Sequence, residues 1–304
     1  MLCSHVVGTG GVWGLFLVCF FSFGADAVAS SHIPQPPGGN VTVNSFRPTD
    51  KYILGAALGY GFASEPLQPK TFYFKAAPGY FQTRAGRDGL VGESEFQGYL
   101  LGGTLLYGFS EHWGVNFTSA FEQTTSGTAR PVEVQGGPPP ILGGGSHGYI
   151  LGVAGVFDPF DGDDFRLPMT LGISYNYYST TVEGDFSGGG QGFHYKERIS
   201  RSSPGIYAGA APQWNWGDFR LVPFGVVSES GLFNQRGTGK YTLNNNSTGT
   251  TNQFEIKYHE ATYFAVGMTV KYRPWNLGLS YVRADLFANN LDTNLFTMTW
   301  DRSW

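Results

Sequence analysis

The chain has 304 residues, with 45 glycines, 16% aromatics and only 14% charged residues, a profile unlike that of an ordinary soluble enzyme. Its net charge of −4 is scattered over both signs, which provides neither a basic face for nucleic acid nor an acidic tail for a disordered interactor. Beyond residue 30 no apolar run approaches the ~18 residues of a membrane helix, so entry into a bilayer requires a closed barrel whose strands satisfy every backbone N–H and C=O.

Taken in chain order, an apolar stretch over 12–23 is followed by Ala25-Asp26-Ala27 and Ala27-Val28-Ala29, both of the small-x-small form that signal peptidase cleaves. Residues 1–29 are therefore expected to be a signal peptide, cleaved near Ala27 or Ala29. Cys3 and Cys19 fall inside it, so the mature chain is expected to carry no thiol, which suits passage through an oxidising periplasm. Residues 30–50, rich in Pro, Gly, Ser and Asn, read as a periplasmic tail, and 51–304 as the barrel.

From residue 51 the hydrophobic period becomes two. In 51–63, Tyr52, Leu54, Ala56, Leu58, Tyr60 and Phe62 share one face, with Gly and Ala opposite. The pattern returns in pairs joined by short connections: 96–109 with 113–122, 147–157 with 165–179, 203–216 with 219–232, and 259–273 with 276–287, before a last strand over 292–302. Each pair reads as a hairpin. Residues 64–95, 123–146, 180–202 and 233–258, full of Gly, Pro and Asn, read as long loops. The expected fold is all-β: a transmembrane antiparallel up-and-down barrel of about ten strands, each reaching the roughly 9–11 residues needed to cross. Eight and twelve strands are the alternatives. Twelve would require 71–83 to be a membrane-spanning hairpin about Pro78-Gly79, whose arms are too short. Short turns are expected in the periplasm and long loops outside, and the aromatics beside the short turns (Phe109, Trp113, Phe157, Phe160, Phe165, Trp214, Trp216, Phe219, Tyr272, Trp275, Trp300) read as an interfacial belt.

Together with the final strand ending at Trp304, this organisation resembles the general class of bacterial outer-membrane β-barrel proteins over about residues 50–304. The resemblance implies a Gram-negative outer-membrane location, contact with membrane lipids and lipopolysaccharide, and recognition of the C-terminal strand by the barrel-assembly machinery. It selects no family within the class. Omptin-type proteases resemble this chain in length and strand number, but Asp161-Gly162-Asp163 falls in a short turn and no Asp-x-His occurs. None of the six histidines begins the His-x-Ser element of outer-membrane lipid hydrolases, so no catalytic residue is assigned and no enzyme is expected.

Asp158, Asp161, Asp163 and Asp164 lie close enough to hold Ca²⁺, but they are also what a tight turn uses, and no metal or cofactor is assigned. His194, Lys196, Arg198 and Arg201 read as charges of one loop that attract phosphates. Strand parity places Glu122, Arg166, Lys271, Arg220 and Arg273 in the lumen. Two readings of them remain: a packed interior of salt bridges, or a narrow polar channel favouring anions. A channel or transport barrel for small polar solutes ranks first among functions, then a non-conducting barrel whose extracellular loops bind ligands or surfaces, and a barrel enzyme third.

Overall fold

The computed structural model describes residues 41–43, 67–86, 89–160, 162, 164–230, 235–245, 249–258, 261–284 and 291–304. Both the expected signal peptide and the period-two stretch over 51–63 lie outside the described residues. Among the described residues sixteen strands follow one another: β1 (Val41–Val43), β2 (Thr71–Ala85), β3 (Ser94–Gly108), β4 (Trp113–Ala129), β5 (Val132–Val134), β6 (Leu142–Phe157), β7 (Phe165–Arg166), β8 (Met169–Gly188), β9 (Gln191–Ala210), β10 (Gln213–Trp216), β11 (Phe219–Ser230), β12 (Gln235–Asn245), β13 (Gly249–Tyr258), β14 (Ala261–Tyr272), β15 (Leu277–Ala284) and β16 (Leu291–Ser303).

Ten of them close a ring in the order β2-β3-β4-β6-β8-β9-β11-β14-β15-β16, and β16 returns to β2. Every pairing is antiparallel. The first strand of the ring is β2, so 71–85 forms one crossing strand rather than a hairpin about Pro78-Gly79. The reason lies at the seam. Pairing of β16 with β2 runs from Leu291↔Ala85 to Thr297↔Gly79 and resumes at Trp300↔Ala76, skipping Pro78, which has no N–H to give. Gly79 lets β16 approach, since a Cβ there would collide with Thr297 Cγ2 and lie 2.7 Å from the Phe296 carbonyl oxygen.

Prolines mark a second irregularity. β7 runs on into β8 and β9 into β10, each interrupted beside a proline, Pro168 and Pro212. The gaps face each other, between Met169↔Ala210 and Arg166↔Gln213. At the opposite end of the barrel, segments expected to be loops are strands. β8 and β9 pair from Met169↔Ala210 to Gly188↔Gln191 and turn on Gly189 and Gly190, whose φ values of 59° and 78° require a residue without a Cβ. β12 continues β11 up the edge of β9, and β13 leads back down into β14. Two hairpins thus form a tall wall above the ring.

Residues 41–43 depart from the expected periplasmic tail. β1 pairs with β5 in the connection between β4 and β6, at the end remote from the short turns, and Val41 is buried in an apolar cluster there. Leu67 lies at the other end, packed with Tyr73, Leu106 and Val156.

Between the aromatic borders described below, the outward side chains of the ring strands are mostly apolar and exposed, as at Leu171 (70% exposed) and Leu279 (69%), while the alternate ones are buried. In water such a surface is unfavourable; in hydrocarbon it is the required one. Aromatic pairs border it. At the short-turn end these are Phe72–Tyr107, Phe74–Trp300, Trp113–Phe157, Phe165–Trp214 and Phe219–Tyr272. At the other end Tyr80–Tyr99, Tyr149–Tyr177 and Tyr281–Phe296 form a second belt. On β3 the two borders, Tyr107 and Tyr99, are eight residues apart. At about 3.4 Å per residue and a tilt of ~40° they are separated by ~21 Å, close to the ~25 Å apolar band of outer-membrane barrels.

The seam generates a paired prediction. Gly79→Ala destabilises the barrel by about 1–3 kcal/mol through overpacking. Gly103→Ala, on the neighbouring strand, is neutral, because its Cβ would meet only the Lys75 carbonyl oxygen at an ordinary 3.5 Å. Urea unfolding in detergent, followed by the gel shift between folded and unfolded chain, separates the two.

Candidate functional site: the barrel interior

Strand alternation turns one residue in two inward, and the inward set changes character along the axis. At the short-turn end it is polar and basic. Arg220 and Lys271 are register partners on β11 and β14, and Lys75 and Asp301 are partners across the seam. Lys271 Nζ lies 2.8 Å from Asp301 Oδ2, with both side chains buried. Arg220 Nε donates to Asn215 Oδ1 at 2.8 Å, and hydroxyl pairs Thr104–Thr118 (3.2 Å) and Thr269–Ser280 (2.7 Å) fill the wall between. Arg166 meets Asp158 at 2.6 Å. The same carboxylate accepts the Phe160 and Leu167 N–H groups, so Asp158 is the organiser of its turn.

Above this lies an apolar layer of Ala77, Phe81, Leu100, Ile150, Val222, Phe224, Val282 and Leu295, with Tyr178 and Tyr207 at its border. A second polar level follows, in which Glu122, Gly148, Tyr178 and Arg201 are successive register partners on β4, β6, β8 and β9. Thr124 shares a hydrogen bond with the Ser146 hydroxyl, and Thr83 one with Thr293 at 2.7 Å. A top layer, Phe96, Ala129, Leu142, Val182, Tyr195, Ile199 and Leu243, packs against Val41 and Val132 of the small β1–β5 sheet.

Four of the five residues expected in the lumen are thus inward: Glu122 (0% exposed), Arg220 (2%), Lys271 (1%) and Arg166, though Arg166 lies at the rim. Arg273 is not. It begins the 3-10 turn Arg273–Trp275 and is exposed, because β14 ends one residue earlier and the alternation stops with it.

Sequence reasoning missed Lys75 and Asp301, the first because 71–83 reads as a turn-containing segment. It also missed Glu197 and Arg201, assigned to a loop that is in fact strand. The set His194, Lys196, Arg198 and Arg201 is divided by the alternation of β9. Arg201 points inward and the other three outward.

The sequence matches no family model and no curated protein. Among solved structures the backbone is similar to the outer-membrane protease OmpT of Escherichia coli (12% identity, 79% of this chain and 98% of that one, TM-score 0.44). It is also similar to the translocator domain of the autotransporter NalP of Neisseria meningitidis (10%, 76% and 87%, TM-score 0.42), and to the outer-membrane protein OprG of Pseudomonas aeruginosa (13%, 78% and 98%, TM-score 0.37). Likeness at this level carries no function across. By its own closed ring, lipid-facing surface and paired belts, the chain is a ten-stranded transmembrane β-barrel of the bacterial outer-membrane type.

The basal ion pair is open to test. Asp301→Asn removes the carboxylate beside two buried ammonium groups and costs about 3–5 kcal/mol. Adding Lys271→Met restores part of that loss. A double-mutant cycle by urea unfolding measures it, and strictly additive losses would show that the two groups are not coupled.

Proposed function

We infer that this chain is a closed, non-conducting barrel whose working surface is the tall wall and rim at the long-connection end. The observation that carries this reading is burial of the inward side chains at every level of the axis. Lys271, Arg220, Phe81, Tyr178, Glu122 and Ile199 span its height and are all out of reach of water, whereas a channel wall is wet. It is therefore the non-conducting alternative, rather than the channel ranked first from sequence alone, that the burial favours.

Order at the rim supports the second half of the reading. Glu93 accepts hydrogen bonds from Arg84 (2.9 Å), from the Gly89 N–H (2.7 Å) and from Arg130 Nε (3.0 Å), and Arg130 also donates to the Pro139 carbonyl (2.7 Å). The Arg84 hydrogen bond does most to hold the Glu93 carboxyl below its ordinary range; partial burial opposes it, and Gly89 and Arg130 add to the lowering. One carboxylate therefore ties the β2–β3 connection to the β4–β6 connection. A fixed rim with an apolar core beneath it can present a binding surface without paying for order on contact. The reading assigns the chain no reaction.

Reconstitution into a planar bilayer tests it. The expected record is flat under applied voltage at protein levels that give heat-modifiable barrel in the same membrane. Reproducible unit conductance steps would return the channel reading to first place.

A further inference from the structure

We propose that the outer face of the tall wall, centred on Arg198 and Lys240, binds the phosphates of lipopolysaccharide. This inference does not depend on the interior being closed. Arg198 on β9 and Lys240 on β12 are direct Cα partners, and both side chains are on the outward face, where Lys240 is exposed. Two like charges placed directly opposite destabilise a sheet unless a counter-charge lies between them.

Their neighbours in the same row are neutral, Thr181 on β8 and Gln253 on β13. Two carboxylates stand nearest by register. Glu183 is already engaged, 2.6 Å from Lys196 Nζ and 3.4 Å from His194 Nε2. Glu255 stands opposite Thr238, diagonal to Lys240. The remaining outward carboxylate, Asp185, is held by His194 at 2.8 Å. Two rows lower, the register brings Arg236 and Lys257 together as partners on β12 and β13. By register, Glu255 is thus diagonal to Lys240 and Arg236 but two strands away from Arg198.

Height identifies the ligand. Arg198 Nε donates to Ser179 Oγ at 3.3 Å, and Ser179 follows Tyr177 by one outward position on β8. Tyr177 belongs to the upper aromatic belt, stacked on Tyr149 with His147 beside it. The basic patch therefore begins where the hydrocarbon ends, on the long-connection side. In an outer-membrane barrel that level holds the headgroups of the outer leaflet. A guanidinium fixed at one nitrogen still offers its other N–H groups for charge-assisted bonds to phosphate oxygens, and an adjacent ammonium adds a point charge. The contrast with other basic groups at this border supports the assignment: Arg84 is paired with Glu93, and Arg283 lies 3.4 Å from Asp292. Among the described residues, neither Arg198 nor Lys240 has an ion pair of that kind.

The test uses the full chain in detergent, with bis-phosphorylated lipid A as probe and its dephosphorylated form as control. Binding is read by native mass spectrometry. Wild type is expected to retain the phosphorylated form, to release it in high salt, and to bind the dephosphorylated form at least tenfold more weakly. Inorganic phosphate at millimolar concentration is expected not to displace it, since the acyl chains anchor the headgroup at the belt. Arg198→Gln with Lys240→Gln should weaken lipid A binding at least tenfold while the barrel still shifts on heating. Arg198→Lys with Lys240→Arg should keep it, which separates lost charge from lost fold. Equal binding by the double Gln variant, equal binding of the dephosphorylated lipid, or full displacement by free phosphate would each overturn the proposal.

Discussion

A chain that crosses hydrocarbon has to give every backbone N–H and C=O a partner from within itself, and for strands this means that the sheet must close. In this protein closure falls at one seam, where β16 meets β2 more than two hundred residues away in sequence. The rest of the structure depends on it. Closure sets the ten-strand circumference, the circumference sets how much interior has to be filled, and the alternation of each strand then divides the side chains between lipid and lumen. The seam tolerates one missing donor, at Pro78, because the neighbouring ladder of β2 with β3 runs unbroken from Thr71↔Gly108 to Ala85↔Ser94.

The interior answers the same constraint with layers. Charged groups sit at two levels separated by apolar side chains, and where carboxylate and cation meet, as in Lys271–Asp301 and Arg166–Asp158, the distances are those of charge-assisted hydrogen bonds. Inward glycines leave room for large side chains of other strands, Gly127 and Gly144 for Phe96 and Gly267 for Phe224. From sequence, the same small residues are equally compatible with an open channel. Parity tells which side chains point inward but not whether those from opposite walls meet, and that difference decides between the two functions.

The membrane band was legible because lipid imposes apolar residues at every second position, as in Tyr99, Leu101, Leu105 and Tyr107 of β3. Above the band this pressure ends. β8 and β9 carry Glu183, Asp185, His194, Lys196 and Arg198 outward, and a strand with polar residues on its exposed face and glycines at its tip reads as a loop. The alternation also changes phase from strand to strand here: odd residues face outward on β11 but even ones on β12, and odd ones on β13 by register but even ones on β14. A pattern read continuously through these breaks misplaces the faces beyond them. The first strand was obscured differently. Pro78-Gly79 has the composition of a turn, and only contact with distant β16 explains both residues as features of a straight strand.

The central claim, a closed barrel with a dry interior, is tested most directly by scanning successive positions of β3. Single cysteines at residues 100–106, in a chain with Cys3 and Cys19 replaced by serine, carry nitroxide labels in lipid vesicles, and collision with oxygen dissolved in lipid is compared with collision with a water-soluble reagent. The account predicts that labels at 101, 103 and 105 meet oxygen strongly, and that those at 100, 102, 104 and 106 meet neither reagent. Strong collision of the even positions with the water-soluble reagent would show an open lumen, and loss of the two-residue period would contradict the barrel itself.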